Sequence, residues 1–123
     1  MEKSLIESFD ISRFGEDQAC LFLTKQKLKV LDRNYCVRGG EIDIIAEDKK
    51  FLIFVEVKTR SNNSYAQPWE NVAFKKQKNI KAAAREYIHH HKFRGREIRF
   101  DVISIVLDDA MKPQIEWIQH AFV

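Results

Sequence analysis

The sequence predicts an α/β fold in which helices flank a mixed sheet, in the element order αβββαββ. Three observations carry that expectation. Residues 41–58 read as two strands joined by a tight polar turn. Residues 72–91 place apolar side chains at helical spacing. Residues 98–107 then form an almost continuous apolar run, as a central strand covered on both faces does. Strand, helix and strand in that order make a crossover unit whose strands run parallel. At 123 residues the chain is expected to form one domain, 1–123, with a core of its own.

Residues 1–11 read as a loose N-terminal lead-in. Ser12 suits a helix N-cap, and the helix is expected to run to about Leu28. Ala19, Phe22, Leu23 and Gln26 share one face, with Glu16 on its edge. Taken alone, Glu16 reads as a first-turn carboxylate favoured by the helix dipole. Residues 29–37 read as a strand with an irregular middle at Asp32–Asn34. Arg38-Gly39-Gly40 follows, where two glycines suit a hairpin turn or a close backbone approach.

The next two strands are the centre of the chain. Glu41, Asp43 and Ile45 alternate with Ile42, Ile44 and Ala46. After the turn at 47–50, Phe51–Lys58 is apolar until Glu56 and Lys58, which share a face. Antiparallel pairing sets Asp43 roughly opposite residues 54–56, so two carboxylates and an ammonium converge. One reading is an ion pair between Lys58 and one carboxylate at the sheet end. The sharper reading is a metal site, because two carboxylates with water and phosphate oxygens suit Mg²⁺ or Mn²⁺.

Residues 59–70 read as a polar loop leaving this patch. In it Arg60 suits a phosphate and Tyr65 or Trp69 suits base stacking, against the plainer reading of a surface connection. Asn71 is placed to cap the second helix, 72–91, with Ala73, Gln77, Ile80, Ala84, Tyr87 and Ile88 inward. Gln77 is a polar residue on that face, which a place at the core rim would satisfy. Lys75, Lys78, Lys81 and Arg85 form a basic stripe on one flank. His89, His90 and His91 point about 100° apart on a helix and cannot share an ion, so they are expected to face solvent. Asp101, at the start of the next strand, is expected to pair with Arg99 or another basic group. A turn at 108–113 and an edge strand at 114–120 close the sheet.

Composition narrows the function classes. Hydrophobic content of 45% and charged content of 32% are those of a soluble globular protein. No apolar run approaches the roughly 18 residues of a membrane span, and residues 1–12 lack a signal-peptide core. Cys20 and Cys36 lack C-x-x-C spacing and read as reduced structural thiols, so a cytoplasmic protein is expected. Residues 75–99 carry 9 basic and 2 acidic side chains, although the net charge is only +3. Such a segment suggests a polyanion partner or, more plainly, a solvated helix face.

Asp43 followed by Glu56-Val57-Lys58 resembles the Asp…Glu-x-Lys signature of the PD-(D/E)XK nuclease superfamily. The longer strings, residues 38–45 (Arg-Gly-Gly-Glu-Ile-Asp-Ile-Ile) and residues 54–60 (Phe-Val-Glu-Val-Lys-Thr-Arg), resemble the YraN family of small bacterial endonuclease-like proteins. The similarity extends to Gly15-Glu16, the lysine-rich helix, Arg99-Phe100-Asp101-Val102 and the closing His120-Ala121-Phe122.

This resemblance implies a restriction-endonuclease-like core and a metal-dependent nuclease acting on DNA. It makes Asp43, Glu56, Lys58 and Glu16 the catalytic candidates. Asp43, Glu56, the Val57 carbonyl and Glu16 become candidate ligands for Mg²⁺ or Mn²⁺. Glu41, which shares the Asp43 face, and Gln77 are secondary candidates. Arg60, Lys75, Lys78, Lys81 and Arg85 would contact nucleic acid, and a homodimer would let two sites act on two strands. The competing expectation is a non-catalytic nucleic-acid-binding accessory protein on the same fold.

Overall fold

The computed structural model describes residues 10–61, 72–92 and 95–123. Its elements are α1 (Ile11–Lys25), β1 (Lys29–Val37), β2 (Gly40–Glu47), β3 (Phe51–Ser61), α2 (Phe74–His91), β4 (Glu97–Leu107) and β5 (Pro113–Phe122). This is the order expected from the sequence.

Local chemistry sets the element ends. Asp10, not Ser12, caps α1: its carboxylate accepts the Ser12 and Arg13 N–H groups at 3.0 and 3.2 Å. The helix stops at Lys25, earlier than the periodicity suggests. Lys27 takes a left-handed φ of 68°, and the Lys27 and Leu28 N–H groups fold back onto the Thr24 and Leu23 carbonyls. That closure satisfies the last turn and buries Leu28 under the helix. β1 carries its irregularity as a register shift between Val30 and Asp32 and a left-handed Asn34. Residues 59–61 belong to β3 rather than to a loop, because they pair with Ile105–Leu107 of β4. α2 starts at Phe74, and Ala73 at its cap position offers no side-chain acceptor. Asn71, Tyr65 and Trp69 lie outside the described residues.

The five strands form one sheet in the order β1-β2-β3-β4-β5. The β3–β4 pair is parallel and the others are antiparallel. α1 covers one face: Ala19 and Leu23 pack with Ile44, Ile53, Val55 and Ile103. α2 covers the other: Ile80, Ala84 and Tyr87 pack with Ile42, Leu52 and Phe54. Both faces of β3 and β4 are therefore buried, which is why their sequences are continuously apolar.

Glycine sets how closely each helix approaches. A Cβ on Gly15 would collide with the Thr59 side chain, so Gly15 lets α1 lie directly on β3. A Cβ on Gly40 would collide with the Asn79 carbonyl oxygen of α2. Of the two hairpin glycines, Gly39 makes the turn, at φ 91°, and Gly40 receives the helix.

Asp101 is structural. It is fully buried and accepts from Arg99 Nε and Nη2 at 2.9 Å, from Trp117 Nε1 at 2.8 Å and from the His120 N–H at 3.1 Å. Every lone pair is used, and the expected pairing with Arg99 is present. His89, His90 and His91 are all exposed, as expected. No helix among the described residues is long and apolar enough to cross a membrane.

Candidate active site

β2 begins at Gly40 and β3 continues to Ser61, yet their pairing ends at Ile44↔Val55. Beyond that pair the two strands diverge. Asp43 is the first residue in the fork. Alternation breaks there too: Ile42 and Ile45, three apart, both pack beneath α2, whereas Ile44 and Ala46 pack beneath α1. Strict alternation would separate Ile42 from Ile45.

The fork explains where the Asp43 side chain goes. Its Oδ2 accepts the Val57 N–H at 2.8 Å, replacing a ladder bond. It also shares a hydrogen bond with Glu56. Burial, then that bond and the neighbouring Glu56 charge, push Asp43 up to about 8 from an ordinary 3.8, against the Val57 N–H and Lys76, which lower it. Two carboxyl groups thus share one proton in a site that resists a second negative charge.

Glu56 is only 8% exposed and its Oε2 has no hydrogen-bond partner. Lys76 of α2 sets its Nζ 3.4 Å from Oε2. That is an ion pair without hydrogen-bond alignment. Glu16 approaches the fork from the α1 side. Its carboxyl is raised by burial and by the Asp43 and Glu41 charges, against the Asn34 hydrogen bond and Arg33, which lower it. Gly15 places it there by seating α1 on Thr59. Lys58 shares the β3 face of Glu56 and lines a groove of about 450 Å³ with Glu56, Arg60, Ser12 and Lys76.

The remaining predicted residues fall at varied distances from this centre. Glu41 is exposed at the start of β2, and its charge acts on Glu16. Gln77 donates Nε2 to the Val72 carbonyl at 2.8 Å and lines a separate cavity with Val102, Ile118 and Phe122. Lys75, Lys78 and Arg85 are exposed along α2, and Lys81 is half-buried with its Nζ 6.0 Å from the Phe122 ring centre. A larger cavity, about 580 Å³, lies around the β2–β3 turn, where Arg96 is already held by Glu47 and the Asp48 carbonyl.

Lys76 is the site residue that sequence reasoning missed. The expected inward face of α2 ran through Ala73 and Gln77, but Ala73 is exposed. The buried face runs through Ile80, Ala83, Ala84 and Tyr87. Gln77 is half-buried at its start, as expected, and the exposed Lys76 beside it extends its Nζ to Glu56.

A family model described as "Uncharacterised protein family UPF0102" matches residues 15–105. The chain belongs to the UPF0102 family. A UPF0102 protein of Dictyoglomus turgidum is 49% identical over 98 residues, covering 80% of this chain and 83% of that protein. A UPF0102 protein of Rhodococcus opacus is 41% identical over 108 residues, covering 88% and 92%. One from Clostridioides difficile is 43% identical over 109 residues, covering 89% and 93%. The UPF0102 match opens on Gly15 and spans the fork, both faces of β3 and the α2 residue Lys76.

The donor set fits a divalent cation. Among the described residues no three His, Cys, Asp or Glu side chains converge on one point. Two carboxylates do meet, however, and one buried oxygen of the pair accepts no hydrogen bond. A hydrated ion that takes one or two carboxylates and fills its shell with water and phosphate oxygens suits that arrangement.

Proposed function

We propose that this protein is a metal-dependent nuclease that hydrolyses phosphodiester bonds in DNA. The observation that carries the reading is the Asp43–Glu56 carboxyl pair in the β2–β3 fork, flanked by Lys58 and Lys76. The resemblance of the Asp43…Glu56-Val57-Lys58 string to YraN-like and PD-(D/E)XK nucleases supports it. Fold likeness alone would not, because one fold serves many functions.

Asp43 and Glu56, with the Val57 carbonyl and a Glu16-held water, would hold Mg²⁺ or Mn²⁺. When bound, the ion lowers the pKa of water and offsets charge on the phosphoryl oxygens. The Val57 N–H keeps the Asp43 carboxylate oriented before any ligand arrives. Lys58, on the same β3 face as Glu56, orients the attacking water or takes its proton. Lys76, whose side chain is 56% exposed, is free to swing from Glu56 to a phosphate oxygen. The exposed lysines of α2 add salt-sensitive, sequence-independent affinity for the backbone.

Cleavage of labelled duplex, single-stranded and branched DNA, and of RNA, tests this with Mg²⁺ and with Mn²⁺. Metal-dependent cleavage that Asp43→Asn and Lys58→Ala both abolish is expected. Binding without cleavage, unchanged by either substitution, would replace the nuclease with the accessory-protein reading.

A further inference from the structure

The break in alternation at Asp43 has a counterpart in the neighbouring strand. Arg33 pairs with Ile44 and reaches α1, where its Nη2 meets Asp17 Oδ1 at 2.7 Å. Tyr35 pairs with Ile42 and packs beneath α2. Residues two apart in a regular strand share a face, so β1 turns over between these two. The residue between them is Asn34, with a left-handed φ of 51°. The pairs on either side set Asn34 level with Asp43. Both strands thus flip at one level, and that level is the fork.

Asn34 also reaches the third carboxylate, because its side chain hydrogen-bonds Glu16 of α1. Consecutive residues of β1, Arg33 and Asn34, therefore meet consecutive residues of α1, Asp17 and Glu16. All four line one cavity of about 450 Å³. A regular strand would send Arg33 and Asn34 to opposite faces. The Asn34 bond favours a charged Glu16, the form a cation needs, where burial and the Asp43 charge disfavour it. The residue type fits as well. Glycine, asparagine and aspartate are the residues that visit the left-handed region. Glycine has no side chain to offer and aspartate would repel Glu16, whereas the asparagine amide donates.

We propose that Asn34 is a positioning residue that holds the Glu16 carboxylate toward the Asp43–Glu56 pair for a divalent cation. The left-handed turn aims the amide at α1, and the amide aims Glu16. This role rests on the metal reading of the carboxyl pair and adds to it a residue that acts through Glu16.

Metal uptake without any substrate tests the role separately from catalysis. Binding of Mn²⁺ to the full chain is followed by loss of the free-ion EPR signal, and folding is checked by circular dichroism in EDTA. Asn34→Gly accepts the left-handed φ and deletes the amide, so it separates the side chain from the turn. Asn34 is exposed, and the fold survives that change. Asn34→Gly is expected to bind Mn²⁺ about tenfold more weakly than the parent, as loss of a group that orients a ligand does. Glu16→Gln should weaken binding at least as much. Adding Asn34→Gly to Glu16→Gln should weaken it no further, because both act through one carboxylate. Losses that instead add in the double variant would overturn the proposal. Uptake that Asp43→Asn abolishes and Asn34→Gly leaves at the parent's affinity would overturn the positioning role and leave the metal reading standing. A parent that takes up no Mn²⁺, or takes it up equally after Asp43→Asn, would overturn both.

Discussion

Asp43→Asn should make the metal-free protein more stable, and increasingly so as pH rises. The Asp43 carboxyl is raised from 3.8 to about 8 by its burial beside Glu56. Between those values the folded chain keeps a proton that the unfolded chain releases. Stability therefore falls with rising pH across that window. The contribution is fully present below the unfolded pKa and is lost as pH passes the folded one. Asparagine imitates the protonated form: its carbonyl oxygen takes the Val57 N–H and its amide donates to Glu56, with no proton to surrender.

The magnitude follows from the same numbers. At about 1.4 kcal/mol per unit, a shift of roughly four units is worth about 5 kcal/mol gross by pH 8. The proton is shared with Glu56, so Asp43 alone carries about 2–4 kcal/mol of it. For a chain of this size that is a rise in Tm of about 10 °C at pH 8, against almost none near pH 4. Thermal unfolding of parent and variant followed by circular dichroism in EDTA at both pH values reads the difference. A variant less stable than the parent at both, or more stable by the same amount at both, would refute the shared-proton account. Adding Mg²⁺ supplies a further check: it should raise the Tm of the parent and not that of Asp43→Asn.

The other substitutions separate structure from chemistry. Lys76→Met should alter stability little, by less than about 1 kcal/mol in urea titration, because its partly exposed ion pair contributes weakly. Cleavage should nevertheless fall about tenfold or more in single-turnover assays, as loss of a phosphate-directed cation predicts. Gly40→Ala should cost about 2–3 kcal/mol in urea titration, because its Cβ meets the Asn79 backbone and α2 must move as a body. Gly15→Ala should cost about as much, and Thr59→Ala should restore part of it by removing the atoms it strikes. Asp101→Ala should cost about 3–5 kcal/mol, read in the same titration, since it strands the buried Arg99 charge and two further donors.

The fold was largely legible because each element obeys a local period. The apolar run of β4 announced a strand buried on both faces, and residues 41–58 announced a hairpin. Element ends were less legible. Ser12 and Asp10 are both good caps, and only the geometry of α1 chose Asp10. Lys27 in a left-handed conformation ended that helix without the glycine that marks such ends. Residues 59–61 look like loop by composition, but parallel pairing with β4 overrides their polarity.

The site was legible as a set of residues and not as an arrangement. Alternation put Asp43, Glu56 and Lys58 near one another. It did not show that the strands part at Ile44↔Val55, which is what lets a side chain replace the ladder bond to Val57. Lys76 was hidden because an exposed lysine on a helix carries no periodic sign that it reaches a neighbouring strand. Gln77 is half-buried at the start of the inner face, as the periodicity expects, and Lys76 beside it extends its Nζ to Glu56. The reach depends on how closely α2 lies on the sheet. Gly40 lets β2 come against the Asn79 carbonyl, three residues after Lys76, where a Cβ would collide. A glycine that reads as half of a hairpin thus sets how closely the helix that carries Lys76 lies on β2.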